Sequence, residues 1–173
     1  CLSMEPTVVP AELADATALA ALSNAASDDL TARFGRGPWS TLVTETAMRR
    51  SLEAPAHTTR VLVARFDGAL VGALRLVTKK PWAIDRAYFT PVRRPLYLIG
   101  MAVSPVFQRQ GIGRLLIDAA RDATRAWPAE SLCLDAYAHP AAGAGAFYAR
   151  CGFREVGHIS YRGVPLIYYE WLP

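Results

Sequence analysis

The segment Leu96–Leu116 passes from an unbroken apolar run, through a glycine-bearing turn, directly into an amphipathic helix. In Leu96–Val103 both alternating sets of side chains are apolar, so this strand has to be covered on both faces, as at a sheet centre. On the following helix Leu115, Leu116, Ala119, Ala120, Ala123 and Trp127 form the apolar stripe. Arg114, Asp118, Arg121 and Arg125 form the wet face, and Pro128 ends the helix. A chain of 173 residues can cover such a strand within one domain, since roughly 70% of its extended surface can be buried.

The flanking sequence supplies the covering elements. Thr7–Val9 reads as a short strand, and Ala11–Ala26 as a helix with Leu13, Ala16, Leu19 and Ala20 at helical spacing. Gly35, Gly37 and Pro38 break it, and Ser40 is expected to cap a second helix running to about Leu52. Val61–Phe66 and Ala69–Val77 form a hairpin around Asp67-Gly68. Pro81–Pro95 is too long for a simple turn and is a candidate substrate-side loop. Ser131–Tyr137 is a second buried strand. Ala141–Cys151 is a small-residue helix stopped by Gly152. Phe153–Ser160 and Val164–Trp171 make a last hairpin through Arg162-Gly163. The order is strand, two helices, three strands, helix, strand, helix, two strands. This is an α/β domain over residues 1–173, with a mixed central sheet of about seven strands flanked by about four helices. Cys1–Ser3 reads as an upstream remnant before Met4.

Charge and cysteine usage narrow the partners. There are 19 basic residues against 15 acidic ones, a net charge of +4, and Lys79 and Lys80 are the only lysines. The excess favours an anionic ligand, but no dense basic block points to nucleic acid. No apolar run has the ~20 residues of a membrane helix. The three cysteines, Cys1, Cys133 and Cys151, have neither the spacing of a disulfide framework nor that of a zinc site. A reducing cytoplasm, no membrane and no metal are the expectations.

Gln108-Arg109-Gln110-Gly111-Ile112-Gly113 joins the central strand to its helix. Glycine lets backbone amides turn toward a ligand, and a helix start adds unpaired N–H groups and a positive dipole end. Together these suit a pyrophosphate. By itself Gly111-x-Gly113 reads as a plain connecting turn. A dinucleotide fingerprint would need glycine at Leu116, and no lysine follows as an ATP-type loop requires. A second segment, Leu132–Phe153, is a strand followed by a helix carrying Phe147-Tyr148 and then Gly152-Phe153.

With both segments in this order, the chain resembles the GNAT superfamily of acetyl-CoA-dependent N-acetyltransferases. Gln108, Gly111 and Gly113 match that family's Gln/Arg-x-x-Gly-x-Gly/Ala loop, and Phe147, Tyr148, Gly152 and Phe153 match its later aromatic motif. The resemblance spans Thr7 to Trp171. It implies acetyl-CoA as co-substrate, with the backbone of Arg109, Gln110, Gly111, Ile112, Gly113 and Arg114 on the pyrophosphate. It implies that Met101, Ala102 and Val103 pair with the pantetheine arm, and that the sheet splays between the strands ending near Val103 and Tyr137. The Val103 N–H becomes the candidate oxyanion donor, and Tyr148 the candidate acid for the departing thiolate. Many relatives carry an asparagine seven residues before this tyrosine; here the position is Ala141. A homodimer is implied by the resemblance alone.

The acceptor is read as a primary amine of a small molecule or peptide. Making a neutral amine near pH 7 costs about 4.6 kcal/mol for a pKa of ~10.4, so a proton acceptor is needed. Candidates are Asp135 on the second buried strand, His139 and Asp85. Asp135 in so apolar a strand is expected to have a partner, either an arginine or the substrate ammonium. Trp39, Trp82, Tyr88 and Tyr137 are candidate acceptor-pocket residues, beside Asp85. Cys133 and Cys151 read as packing residues. The rival is a catalytically inactive acyl-CoA-binding or regulatory module of the same fold.

Overall fold

The computed structural model describes residues 5–173. The remnant read at Cys1–Ser3 lies outside the described residues. Seven strands form one mixed sheet in the order β1-β2-β3-β4-β5-β7-β6. They are β1 (Thr7–Pro10), β2 (Thr59–Phe66), β3 (Ala69–Val77), β4 (Pro95–Val103), β5 (Ser131–Tyr137), β6 (Arg154–Tyr161) and β7 (Val164–Trp171). The helices are α1 (Ala16–Phe34), α2 (Glu45–Glu53), α3 (Ile112–Ala126) and α4 (Ala144–Arg150). The element order is the one expected. Among the described residues no helix is long and apolar enough to cross a membrane.

The chain packs as two compact units. One comprises the chain up to Leu76 with Ile99–Ala120, the other Val77–Leu98 with Arg121–Pro173. In the first, β1 runs antiparallel to β2, with Thr7 opposite Arg65 and Pro10 opposite Leu62. Asp67 and Gly68 take φ of 51° and 76°, the left-handed pair that a two-residue hairpin demands. Helices α1 and α2 bury Leu19, Leu22 and Met48 against Val61, Val63 and Ala73. On the other face of β3, a Cβ at Gly72 would stand 3.0 Å from Leu116 Cδ1 and 3.1 Å from Ile112 Cγ2, so α3 begins directly on the strand.

In the second unit β5 pairs in parallel with the start of β4, Pro95 with Ser131 and Tyr97 with Cys133. β7 lies antiparallel between β5 and β6. Its core gathers Ile84, Phe89, Tyr97, Cys133 and Tyr168. Glu170, 1% exposed, accepts hydrogen bonds from the Thr90 N–H and hydroxyl and pairs with Arg154 at 2.6 Å.

Several boundaries differ from expectation. The first helix runs Ala16–Phe34 rather than Ala11–Ala26, behind a 3-10 turn at Leu13–Asp15. Thr44, not Ser40, caps α2, accepting from the Ala47 N–H at 3.1 Å. Ser40 instead closes a 3-10 turn, its hydroxyl accepting from the Gly37 N–H at 3.0 Å and bonding Thr31 Oγ1 at 2.7 Å. Both residues satisfy the cap preference, and packing of the turn on α1 selects between them. The small-residue helix starts late: Pro140–Ala142 form a 3-10 turn, Gly143 takes φ 71°, and α4 begins at Ala144.

Candidate functional site

In the first unit, β4 ends at Val103 and the Ser104 N–H donates to the Val71 carbonyl at 2.8 Å. The loop that follows contains a 3-10 turn at Pro105–Phe107 and two left-handed residues, Arg109 at φ 65° and Gly111 at φ 80°. Left-handed steps turn successive amides to one side and make anion-binding concavities. A Cβ at Gly111 would meet nothing within 4 Å, so the main chain is open there. The first helical bond is donated by the Leu115 N–H to the Gly111 carbonyl at 3.1 Å. The Ile112 and Gly113 amides therefore open α3 ahead of its own hydrogen bonding. The Gln108 side chain donates to the Val103 carbonyl at 3.4 Å, tying loop to strand. Gln108, Arg109, Gln110, Gly111 and Arg114 are exposed, while Met101, Ala102 and Val103 are half-buried. The backbone around Arg109–Gly113 thus has the chemistry to receive the diphosphate of a coenzyme A.

In the second unit, Tyr148 on α4 is buried, 8% exposed. Its ring lies 5.2 Å from Phe147, 5.7 Å from Phe153 and 5.8 Å from Tyr169, centre to centre. Burial, and after it the charge of Asp135, drives the phenol's pKa far up, so its proton is held at any ordinary pH. Asp135 stands opposite Tyr168 in the β5–β7 ladder. Burial raises its pKa, and neither a cation nor a hydrogen bond opposes the shift. The arginine partner allowed for in the sequence is absent among the described residues. Burial also raises the Cys133 thiol, which accepts from Arg86 Nη1 at 3.2 Å; it is packed and held protonated.

The other candidates scatter. Asp85 is exposed and caps the 3-10 turn Arg86–Tyr88, its Oδ1 accepting from the Ala87 N–H at 2.9 Å. The Asp85 N–H donates to Tyr168 Oη at 3.1 Å, and that hydroxyl donates to the Ala83 carbonyl. Trp82 is 87% exposed in the same loop. Tyr88 lies over Gly157, leaving no room for a Cβ there, and its ring is 5.5 Å from the Tyr168 ring. Tyr137 meets the His139 ring at 5.8 Å, and His139 Nδ1 accepts from the Ala141 N–H at 3.1 Å. Trp39 belongs to the first unit, its Nε1 donating to the Gly35 carbonyl at 3.1 Å. Among the described residues no three His, Cys, Asp or Glu side chains are grouped to hold a metal.

Two residues that meet across neighbouring strands, Arg75 on β3 and Gly100 on β4, were not singled out in the sequence. Gly100 takes φ 62° inside its strand, and the Arg75 guanidinium lies against it. A lone glycine within an apolar strand is the signal of a bulge or a close approach.

The family model for the acetyltransferase (GNAT) domain matches residues 57–155. Solved structures similar to this chain include the N-acetyltransferase from Staphylococcus aureus Mu50, with 18% identity, a TM-score of 0.75, and 97% of this chain and 98% of that one covered. YncA from Salmonella typhimurium with its cofactor acetyl-CoA has 17% identity and a TM-score of 0.74 over 96% and 93%. The ribosomal-protein-alanine N-acetyltransferase from Brucella melitensis has 24% identity and a TM-score of 0.74 over 96% and 99%. No curated protein matches the sequence significantly. The matched region runs from just before β2 to the start of β6 and contains both motifs, Gln108–Gly113 and Phe147–Phe153, so the chain belongs to the GNAT acetyltransferase family.

Proposed function

We propose that the protein is an N-acetyltransferase that moves the acetyl group of acetyl-CoA to a primary amine by direct attack within a ternary complex. The observation that carries this reading is the turn after β4, where Arg109 and Gly111 take left-handed conformations immediately before α3. The co-substrate supplies an activated thioester. The amides around Arg109–Arg114 hold its diphosphate, and the backbone of Met101–Val103 pairs with its pantetheine arm. A neighbour of this fold solved with acetyl-CoA, YncA from Salmonella typhimurium, supports the assignment of ligand.

Three groups of this chain act on the reaction. The Val103 N–H stabilises the carbonyl oxygen as negative charge develops, an interaction worth ~2.7–4 kcal/mol in acyl-transfer enzymes. The Tyr148 phenol protonates the departing thiolate; burial keeps it in the donor form. Asp135 receives the ammonium of the acceptor and its proton. A carboxylate without a cation of its own is suited to that, and its raised pKa makes it a better base than a solvated aspartate. Trp82, Asp85, Tyr88 and Tyr137 are the residues assigned to acceptor contact. The location is cytoplasmic and the acceptor a small molecule or peptide.

The test is thiol release from acetyl-CoA across a panel of amines, with the parent and Tyr148→Phe. Turnover with at least one amine and its loss in the variant, at unchanged coenzyme A affinity, supports the reading. Tight coenzyme A binding without turnover on any amine replaces it with the binding-module alternative.

A further inference from the structure

Arg75 is the one charged residue in the strand Ala69–Val77. Ala73, two residues earlier on the same face, is buried against α1 and α2, so Arg75 projects to that side. Its Nη1 donates to Ser51 Oγ on α2 at 3.2 Å. Its Nε and Nη2 each lie 3.1 Å from where a Cβ of Gly100 would be. The guanidinium therefore rests on β4 backbone that only glycine leaves open, and φ 62° at Gly100 makes that position costly for any other residue.

A guanidinium has five N–H donors. Among the described residues Arg75 forms the Ser51 hydrogen bond and no ion pair. Burial lowers its pKa, and no carboxylate opposes the shift. Arg75 is half-buried and none of its unmatched nitrogens is buried, so these donors are open to an incoming anion. The planar fork fits the two oxygens of a carboxylate. Gly100 is three residues from Val103 along β4, about 10 Å at ~3.3 Å per residue. That separation is spanned by a small acceptor whose amine lies at Val103 and whose carboxylate lies at Gly100.

We propose that Arg75, set by Ser51 and Gly100, binds a carboxylate carried by the acceptor, so that the acceptor class is small amino acids rather than simple amines. The inference rests on the acetyltransferase reading, and it assigns Arg75 to specificity. It predicts that the enzyme discriminates between an amino acid and its uncharged amide.

The experiment compares glycine, β-alanine and γ-aminobutyrate with their carboxamides as acceptors, by thiol release, on the parent, Arg75→Met and Arg75→Lys. The parent is expected to favour at least one acid over its amide by about tenfold or more in kcat/KM. In Arg75→Met that ratio falls to about one, chiefly through KM for the acid, and Arg75→Lys recovers part of it. Equal use of acid and amide by the parent overturns the inference without any variant, as does a ratio unchanged in Arg75→Met. A calorimetric titration with the N-acetyl derivatives of the same acids reads the site without turnover. Binding by the parent and not by Arg75→Met upholds the carboxylate site even where no amine is acetylated, a result that removes the enzymatic reading alone. Equal binding, or none by the parent, removes the carboxylate site.

Discussion

Tyr148 and Asp135 are shifted in the same direction by burial, with opposite consequences for chemistry. A phenol held protonated by burial always presents its donor form, whereas a carboxylate whose pKa rises becomes a better acceptor. Tyr148→Phe is expected to lower kcat by about 10²-fold or more, with coenzyme A affinity unchanged by calorimetry. Asp135 makes a second, independent prediction. Its native pKa lies above the unfolded value of 3.8. Below that value both states are protonated and the site costs nothing. As pH rises through the native pKa, the unfolded chain ionises more readily and the fold loses stability. Asp135→Asn should therefore melt higher than the parent near pH 7 and level with it near pH 3, while losing acetyl transfer. Equal melting at both pH values would contradict the uncompensated burial. The exceptional polarity of Asp135 was legible as a polar residue in the apolar strand Leu132–Tyr137. What could stand beside it was not, because strand periodicity specifies a face and leaves the opposing residue undetermined.

Among the elements, those governed by local backbone chemistry were legible. Asp67-Gly68 and Arg162-Gly163 both adopt paired positive φ, as two-residue hairpins require. The loop at Gly111 was legible for the same reason. Gly111→Ala should fold, since a Cβ there meets no neighbour, yet hold coenzyme A more weakly, because φ 80° costs an L-residue about 1–2 kcal/mol. Gly111→Asn, which tolerates the left-handed region better, should lose less; isothermal titration separates the two. The start of α2 was not legible. Ser40 and Thr44 are both competent caps, and only the turn packed on α1 assigns Ser40 elsewhere. Thr44→Ala is expected to cost about 1 kcal/mol in denaturant unfolding.

At the scale of the molecule, ligand binding and acid sensitivity test the reading as a whole. Coenzyme A at a hundredfold excess over its dissociation constant should raise stability by about 2.7 kcal/mol, read as a higher Tm, if it binds the folded chain alone. Glu170 makes the fold acid-sensitive. Burial pushes its carboxyl up, but bonds from Thr90 and Arg154 outweigh this and hold it below its ordinary value of 4.5. That contribution is present above 4.5 and lost as pH falls through the lowered native pKa. Glu170→Gln should flatten the low-pH limb of a stability profile.

The amino-acid sequence by itself determined the order of strands and helices, the hairpin turns and the glycine loop leading into α3. Each depends on residues adjacent in the chain, whose dihedral preferences and apolar spacing act locally. Tertiary structure alone decided that Arg75 rests on Gly100 beside Ser51, and that Thr90, Arg154 and Glu170 share one buried charge. Those meetings join residues far apart in sequence, and they depend on how strands and helices are brought against one another by burying their apolar faces.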